Sequence, residues 1–139
     1  MFEEKDAISG TYSIGIGIVA TESTLEWPYD NPYLYVSCFG ASGDNPLFAI
    51  VISWHEYLGN ENPEVSWRLN EESASTERWF LVGDDGVRTT EPRQLVLDLL
   101  RADKITARVH RDFSDSLTAM WLVEGFAEAY KPVEEACGQ

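Results

Sequence analysis

Basic side chains are scarce in this sequence. It carries 10 Lys or Arg residues against 24 Asp or Glu residues in 139, which gives a formal net charge of -14. Proteins that bind nucleic acid or an anionic membrane use clustered Lys and Arg side chains, so the composition predicts neither partner. The longest aliphatic runs, 14–20 and 47–52, are far shorter than the ~20 residues that cross a bilayer, so no membrane span is predicted.

The spacings that mark catalytic and cofactor sites are also lacking. His55 and Glu56 have no second His four residues on, so the zinc-protease pattern fails, and no glycine-rich phosphate loop is present. His110, Asp112 and Asp115 have metal-ligating side chains, but short polar residues in a predicted hairpin turn usually face water. We therefore expect no metal, no cofactor and no enzyme activity, with a hydrolase as the third functional alternative.

Two further absences concern the cysteines and the N-terminus. Cys38 and Cys137 are the only cysteines and form no C-x-x-C pair, which excludes thioredoxin-like redox chemistry and a structural zinc site. Residues 1–6 are acidic and no apolar segment follows them, so no secretory signal is predicted. The expected location is the cytoplasm, or an exported compartment if the chain is a mature form.

Hydrophobic residues make up 44% of the chain, enough for one α+β domain over residues 1–139. Apolar periodicity predicts seven strands, at 12–21, 33–39, 47–54, 64–69, 78–82, 104–109 and 117–123. Gly15 and Gly17 in the first strand predict that another group approaches that face closely. The predicted order is β-β-β-β-β-α-β-β-α, a mostly antiparallel sheet with both helices packed on one face.

Two apolar stripes at helical spacing define the helices. The first follows Thr90, whose hydroxyl is predicted to cap it, and consists of Leu95, Val96, Leu99 and Leu100. The second consists of Phe126, Tyr130, Val133 and Cys137, and Pro132 is expected to kink that helix or restart it.

The two cysteines are either buried free thiols or one disulfide. Cys38 lies on the same strand face as Leu34 and Val36, and Cys137 ends the apolar stripe of the last helix. Both therefore point toward the interface between helix and sheet, where their Cβ atoms can reach bridging distance. This placement favours the disulfide.

The region around residues 22–30 is the candidate partner-binding surface. Trp27 and Tyr29 lie in a proline-punctuated loop together with the acids Glu22, Glu26 and Asp30. Exposed aromatic side chains among acids are typical of a protein contact, whereas the alternative is a loop folded back on the core. Residues 1–76 carry a net charge of -10 and residues 77–139 only -4, so a partner with a basic surface is expected.

Several stretches resemble a known bacterial family. They are LYVSC at 34–38, ISW at 52–54, VSWRL at 65–69, ITARV at 105–109 and GFAEAYKPVEEACG at 125–138. Through them residues 34–138 resemble a small domain of type VI secretion-associated proteins of the VasI kind and of other exported bacterial proteins. The resemblance implies that the two cysteines pair, and it supplies no catalytic residues.

The sequence thus predicts a non-enzymatic acidic module that binds another protein. In one version it is an exported, disulfide-closed accessory domain, as the resemblance implies. In the other it is a cytoplasmic inhibitor of the kind that phages use against host defences, including anti-CRISPR proteins. Its carboxylates would then block a basic groove meant for nucleic acid.

Overall fold

The protein is described from a computed structural model, which covers residues 2–5, 12–23, 31–40, 47–112 and 115–137. The strands are β1 Phe2–Lys5, β2 Tyr12–Val19, β3 Glu22–Ser23, β4 Tyr33–Phe39, β5 Leu47–Ser53, β6 Glu64–Leu69, β7 Ser75–Arg78, β8 Phe80–Val82, β9 Gly86–Arg88, β10 Lys104–Val109 and β11 Leu117–Leu122. The helices are α1 Pro92–Leu100 and α2 Phe126–Ala136.

These strands form two sheets. The first sheet has the order β1-β2-β4-β5-β9-β8 and the second has the order β3-β11-β10-β6-β7. All strand pairs are antiparallel. The α+β class and the antiparallel pairing are therefore confirmed, whereas the single sheet of seven strands predicted from the sequence is wrong.

The chain changes sheets at two short corners, which the sequence pattern does not reveal. At the first corner Ala20 N–H donates to Pro32 O at 2.9 Å, while the next amide, Thr21 N–H, donates to Met120 O at 2.8 Å beside the second sheet. At the second corner the fully buried Trp79 separates β7 from β8. The predicted strand 78–82 is thus two strands in different sheets, because a period of two cannot show where a strand changes partner.

Both helices pack on the inner face of the first sheet, as predicted. Helix α1 lies against β5, and helix α2 lies against β2 and β4. Cys38 of β4 and Cys137 after α2 form a disulfide, with their Cα atoms 5.8 Å apart. The placement of the two cysteines on facing apolar stripes is therefore confirmed.

The helix ends differ from the sequence prediction in two respects. Glu91, not Thr90, precedes the first residue of α1, and its N–H donates to Thr89 Oγ1 at 3.1 Å. Helix α2 continues through Pro132 instead of restarting there. Proline removes one amide donor from the helix, and Glu128, whose carbonyl loses that donor, is an exposed residue that water can reach.

A single apolar core joins both sheets and both helices. Trp54 and Trp121 are fully buried with their rings 5.9 Å apart, and Trp121 Nε1–H donates to Pro32 O at 3.2 Å. Near the disulfide, Phe126 stacks on Tyr130, and Tyr130 meets Phe48 of β5 edge-on. The inner face of the first sheet is thus covered by the helices and the core, whereas its outer face is not covered by them.

Candidate functional site

The outer face of the first sheet carries an exposed apolar surface. Its register places Val19, Tyr33 and Ser53 in one row across the strands, with Gly17, Tyr35 and Val51 in the next. We call this surface the aromatic face and define it by its large side chains: Val19, Tyr33, Tyr35, Phe39, Leu47, Val51, Phe80, Val82 and Arg88.

Several of these apolar side chains face solvent. Leu47 is 56% exposed, Val19 48%, Phe39 42% and Phe80 41%. Five of the large hydrophobic residues that are exposed in the described parts of the chain lie on this face: Val19, Phe39, Leu47, Phe80 and Val82. They form two groups, Phe39 with Leu47 and Val19 with Phe80 and Val82, on either side of a row in which Ser37 and Ala49 are buried. Grouped apolar residues on a surface are candidates for an interaction site.

Acidic residues are fewer on this face than the composition of the chain predicts. Acidic residues make up 24 of 139, so a face of sixteen positions would carry about three of them by composition alone. The sixteen outer-face positions of β2, β4, β5, β8 and β9 hold no acidic residue and one charged residue, Arg88, whereas the register places Glu4 of the edge strand β1 opposite Ser13. The guanidinium carbon of Arg88 lies 4.9 Å from the centre of the Phe80 ring, a cation–π geometry. Depletion of charge together with aromatic and Arg side chains is the composition of an interface core.

The centre of the aromatic face is ordered by ring packing. The Tyr33 and Tyr35 rings stack with centroids 5.6 Å apart. The Tyr35 ring also covers Gly17, since a Cβ on Gly17 would lie 3.2 Å from Tyr35 Cε1. The close approach predicted from the strand glycines is therefore confirmed at Gly17. Burial raises the pKa of the Tyr35 phenol, and the neighbouring Tyr33 raises it further.

His55 borders the same face and was not singled out by the sequence, except as half of a failed zinc pattern. It has a φ of 57°, a left-handed conformation that is uncommon for a residue with a side chain. Its ring meets Tyr33 edge-on at 6.0 Å. Its Nε2 atom is buried and has no hydrogen-bond partner among the residues that the structure describes. Backbone strain and an unsatisfied polar atom together tend to occur at functional sites.

The predicted partner-binding residues lie elsewhere. Glu22 is exposed in β3, pairs with Met120 and lies on the outer face of the second sheet, near Arg68 and Lys104. Glu26, Trp27, Tyr29 and Asp30 lie outside the described residues, so their role stays a prediction.

The largest hollow of the described surface is a polar cleft of ≈ 450 Å³ beside His110. Its lining includes Asn62, Glu64, Arg78, His110 and Asp112. Ser66 Oγ and His110 Nε2 lie 3.0 Å apart within hydrogen-bond distance. In the parts of the chain that the structure covers, no group of three or more His, Cys, Asp or Glu side chains is arranged to hold a metal ion. None of the helices within those parts is long and apolar enough to cross a membrane.

Comparisons with protein-family models, with curated proteins and with solved structures found no match to this chain. The resemblance of residues 34–138 to a secretion-associated domain therefore stays a hypothesis. The candidate site consequently rests on the geometry of the aromatic face alone. All of its residues except Arg88 lie in strands that the sequence predicted, but only the register placed them on one face.

Proposed function

We propose that this chain is a non-enzymatic module that binds another protein through the aromatic face. The observation that supports the proposal is the absence of carboxylates from the sixteen outer-face positions of β2, β4, β5, β8 and β9, in a chain of net charge -14. An acidic chain keeps its surface soluble by distributing acids over it. A surface without them has a composition that favours desolvation against a partner.

The partner expected on this face is a protein with an apolar centre and a basic rim. Asp84 and Asp85 lie in the turn between β8 and β9, directly beside Val82 and Gly86 of the face. Acids at the rim, together with the overall negative charge, accelerate encounter with a basic protein. Arg88 at the centre additionally favours a partner carboxylate or carbonyl group opposite it, because its guanidinium has further N–H donors.

The disulfide supports the exported version of this proposal. Disulfides persist in oxidising compartments and are rare in the cytosol. Cys38 and Cys137 are separated by 99 residues, so the bond closes most of the chain into a loop. A domain that is locked in this way is suited to work outside the cytosol, as an accessory protein that contacts another exported protein.

The proposal is tested by site-specific photo-crosslinking in cells that naturally produce the chain. A photoreactive amino acid is placed at Phe39, Leu47 or Phe80 on the aromatic face. Matched control positions are Leu97 of α1 and Leu122 of β11, which are also exposed apolar residues but lie on other surfaces. We expect one discrete adduct from the three face positions, and none from the controls.

Three outcomes contradict the proposal. Equal adducts from the face and the control positions would show that exposure alone causes crosslinking. The absence of any adduct from the face would remove its role as a docking surface. An adduct of twice the mass of the chain would show that the face binds a second copy of this protein, and not a basic partner.

A further inference from the structure

The outer face of the second sheet differs in chemistry from the aromatic face. Its register places Arg108 of β10 opposite Ser66 of β6 and Thr118 of β11. In the next row Thr106 lies opposite Arg68 and Met120. Hydroxyl and cationic side chains therefore alternate over three neighbouring strands.

This face is concave at its centre. Two adjoining hollows of ≈ 330 and ≈ 430 Å³ share Arg68, Thr106 and Thr118 in their linings. We call the pair the oxyanion groove and define it by six residues: Ser66, Arg68, Lys104, Thr106, Arg108 and Thr118. Three of the ten basic residues of the chain thus converge on one groove.

The cations of the groove lie on the neighbouring strands β6 and β10. Arg108 Nε–H donates to Thr118 Oγ1 at 2.9 Å, which fixes the guanidinium against the sheet. Arg108 forms no ion pair with any described residue, so the remaining N–H groups of its guanidinium lack a carboxylate. Arg68 is the diagonal neighbour of Arg108, and side chains at that spacing, about 7–8 Å between Cα atoms, reach one small group between them.

Two carboxylates already offset part of the positive charge of the groove: Glu22 in the lining of one hollow, and Glu71 beside Arg68 and Lys104. Glu71 Oε1 lies 2.6 Å from Lys104 Nζ, and Glu71 Oε2 lies 3.6 Å from the nearest nitrogen of Arg68. The hydrogen bond from Lys104 and the charges of Lys104 and Arg68 lower the pKa of Glu71, so this group is an anion at neutral pH. Glu71 is largely exposed, and such surface ion pairs are weak and readily exchanged.

We propose that the oxyanion groove binds a small molecule bearing a phosphate or sulfate ester, which displaces Glu71 from Arg68 and Lys104. Guanidinium groups bind such oxyanions through paired charge-assisted hydrogen bonds. The net charge of -14 favours a small ligand over a polyanion, because a long anion would extend beyond the three cations onto acidic surface. This site is separate from the aromatic face and does not depend on the proposed function.

The first test titrates the full chain with inorganic phosphate and with inorganic sulfate. Two-dimensional ¹H–¹⁵N NMR follows the backbone amides and the Nε–H group of Arg108. We expect saturable shifts at Ser66, Thr106 and Arg108, and none at Tyr35 on the aromatic face. Shifts that do not saturate, or that extend equally to the aromatic face, would overturn the proposal.

The second test changes the charge of the groove in both directions. Arg108→Gln should weaken phosphate binding by about tenfold, the loss expected when hydrogen bonds from a charged group are removed. Glu71→Gln should strengthen binding, because the resident counter-ion no longer competes. Arg93→Gln in α1 and Glu128→Gln in α2 make the same charge changes elsewhere. Equal effects from these controls would show that net charge alone matters, which would overturn the site.

The third test distinguishes the source of the anion. Phosphoserine and tyrosine sulfate are titrated as a phosphate and a sulfate monoester, beside a short duplex DNA. Tighter binding of one monoester than of its inorganic ion supports the proposal and identifies the ester. Tighter binding of the duplex than of either monoester would overturn it, because the ligand would then be a nucleic acid.

Discussion

The outer faces of the two sheets have opposite chemistry. The first sheet presents Leu47, Phe39 and Val19 to solvent around one cation, Arg88. The outer face of the second sheet carries hydroxyls, cations and a few carboxylates. Along its strands these polar residues alternate with apolar residues that point into the core. Strands β6 and β10 therefore have the ordinary pattern of a sheet that is solvated on one side, whereas β4 and β5 are apolar on both sides.

This difference shows that a central strand is not always buried on both faces. The run 47–54 is apolar on both faces, and β5 lies between β4 and β9 in the sheet, with its inner residues Ile50 and Ile52 fully buried. On its outer side Leu47 is 56% exposed, whereas Ala49 is buried. The apolar outer residues that remain exposed are the surface that we propose a partner covers.

The largest expected effect concerns how much the disulfide between β4 and the end of α2 stabilises the fold. Replacing both cysteines by serine should lower the free energy of unfolding by about 4–5 kcal/mol, since the disulfide closes a loop of nearly the whole chain. Urea unfolding with and without reductant measures this value. Reductant should destabilise the native protein but leave the serine variant unchanged. Two reactive thiols in unfolded, unreduced protein would contradict the prediction.

The second prediction compares the cost of truncating a buried side chain, Phe126, with that of truncating an exposed one, Leu47. Phe126→Ala removes a buried ring that stacks on Tyr130, with centroids 5.4 Å apart. It should cost about 3–5 kcal/mol of unfolding free energy. Leu47→Ala on the aromatic face should cost less than about 1 kcal/mol, because most of that side chain is already in water. Similar costs at both positions would mean that the outer face is covered in the native protein.

The third prediction concerns binding, once crosslinking has identified the partner. The double variant Phe39→Ser with Leu47→Ser should weaken binding by about 2 kcal/mol or more, mainly through faster dissociation, as expected for anchor residues at an interface centre. The matched control is Leu97→Ser with Leu122→Ser, which changes equally apolar exposed residues on other surfaces. Surface plasmon resonance measures both rates. Equal losses from the two variants would contradict a specific face.

The fourth prediction addresses the acids that the sequence favoured. Neutralising Glu22, Glu26 and Asp30 to the corresponding amides should lower the association rate by about threefold and reduce its salt dependence. The effect is small because Glu22 lies beside Arg68 and Lys104, which already offset its charge. Surface plasmon resonance at several salt concentrations measures it.

The control for that triple variant neutralises the same number of acids on other elements, Asp98, Asp103 and Glu134. It should leave the association rate nearly unchanged. Equal slowing by both variants would show that the total charge, and no particular group of acids, steers the encounter.

The smallest effect concerns the pH dependence of the second sheet. Lys104 lowers the pKa of Glu71 in the folded protein. The ion pair therefore stabilises the fold at a pH above 4.5, the ordinary pKa of a Glu carboxyl group. This stabilisation is lost as the pH falls through the lower pKa of the folded state. Glu71→Gln should therefore be slightly less stable than the native chain at pH 6, and the difference should be smaller at a pH below 4.5. Urea unfolding at both pH values checks this. A constant difference would mean that the pair does not contribute.

The sequence predicted most elements but not how they assemble. The bounds of β4 and β6 agree with the periodicity, and the last helix was placed within a residue. The short strands β3 and β9 were not predicted, because two or three residues carry no measurable period. The division of 78–82 at Trp79 was also missed, since its alternation is the same whether the strand stays in one sheet or crosses to another.

The candidate sites were predicted less well than the elements. The sequence directed attention to the acids and aromatics of residues 22–30, because they form a cluster along the chain. Tyr35, Phe80 and Arg88 are distant in sequence and meet only through the pairing of β4, β5, β9 and β8. Arg68 and Arg108 likewise become neighbours only when β6 pairs with β10.

The sequence by itself determined the fold class, the apolar faces of most elements and the facing of Cys38 and Cys137, because these depend on local periodicity. Tertiary structure alone decided how the strands divide between two sheets and which outer face is poor in acids. The physical reason is that strand pairing is a long-range choice of hydrogen-bond partners, made by burial in the common core. Local periodicity determines which face of a strand each side chain occupies, but it does not determine which strand lies beside it.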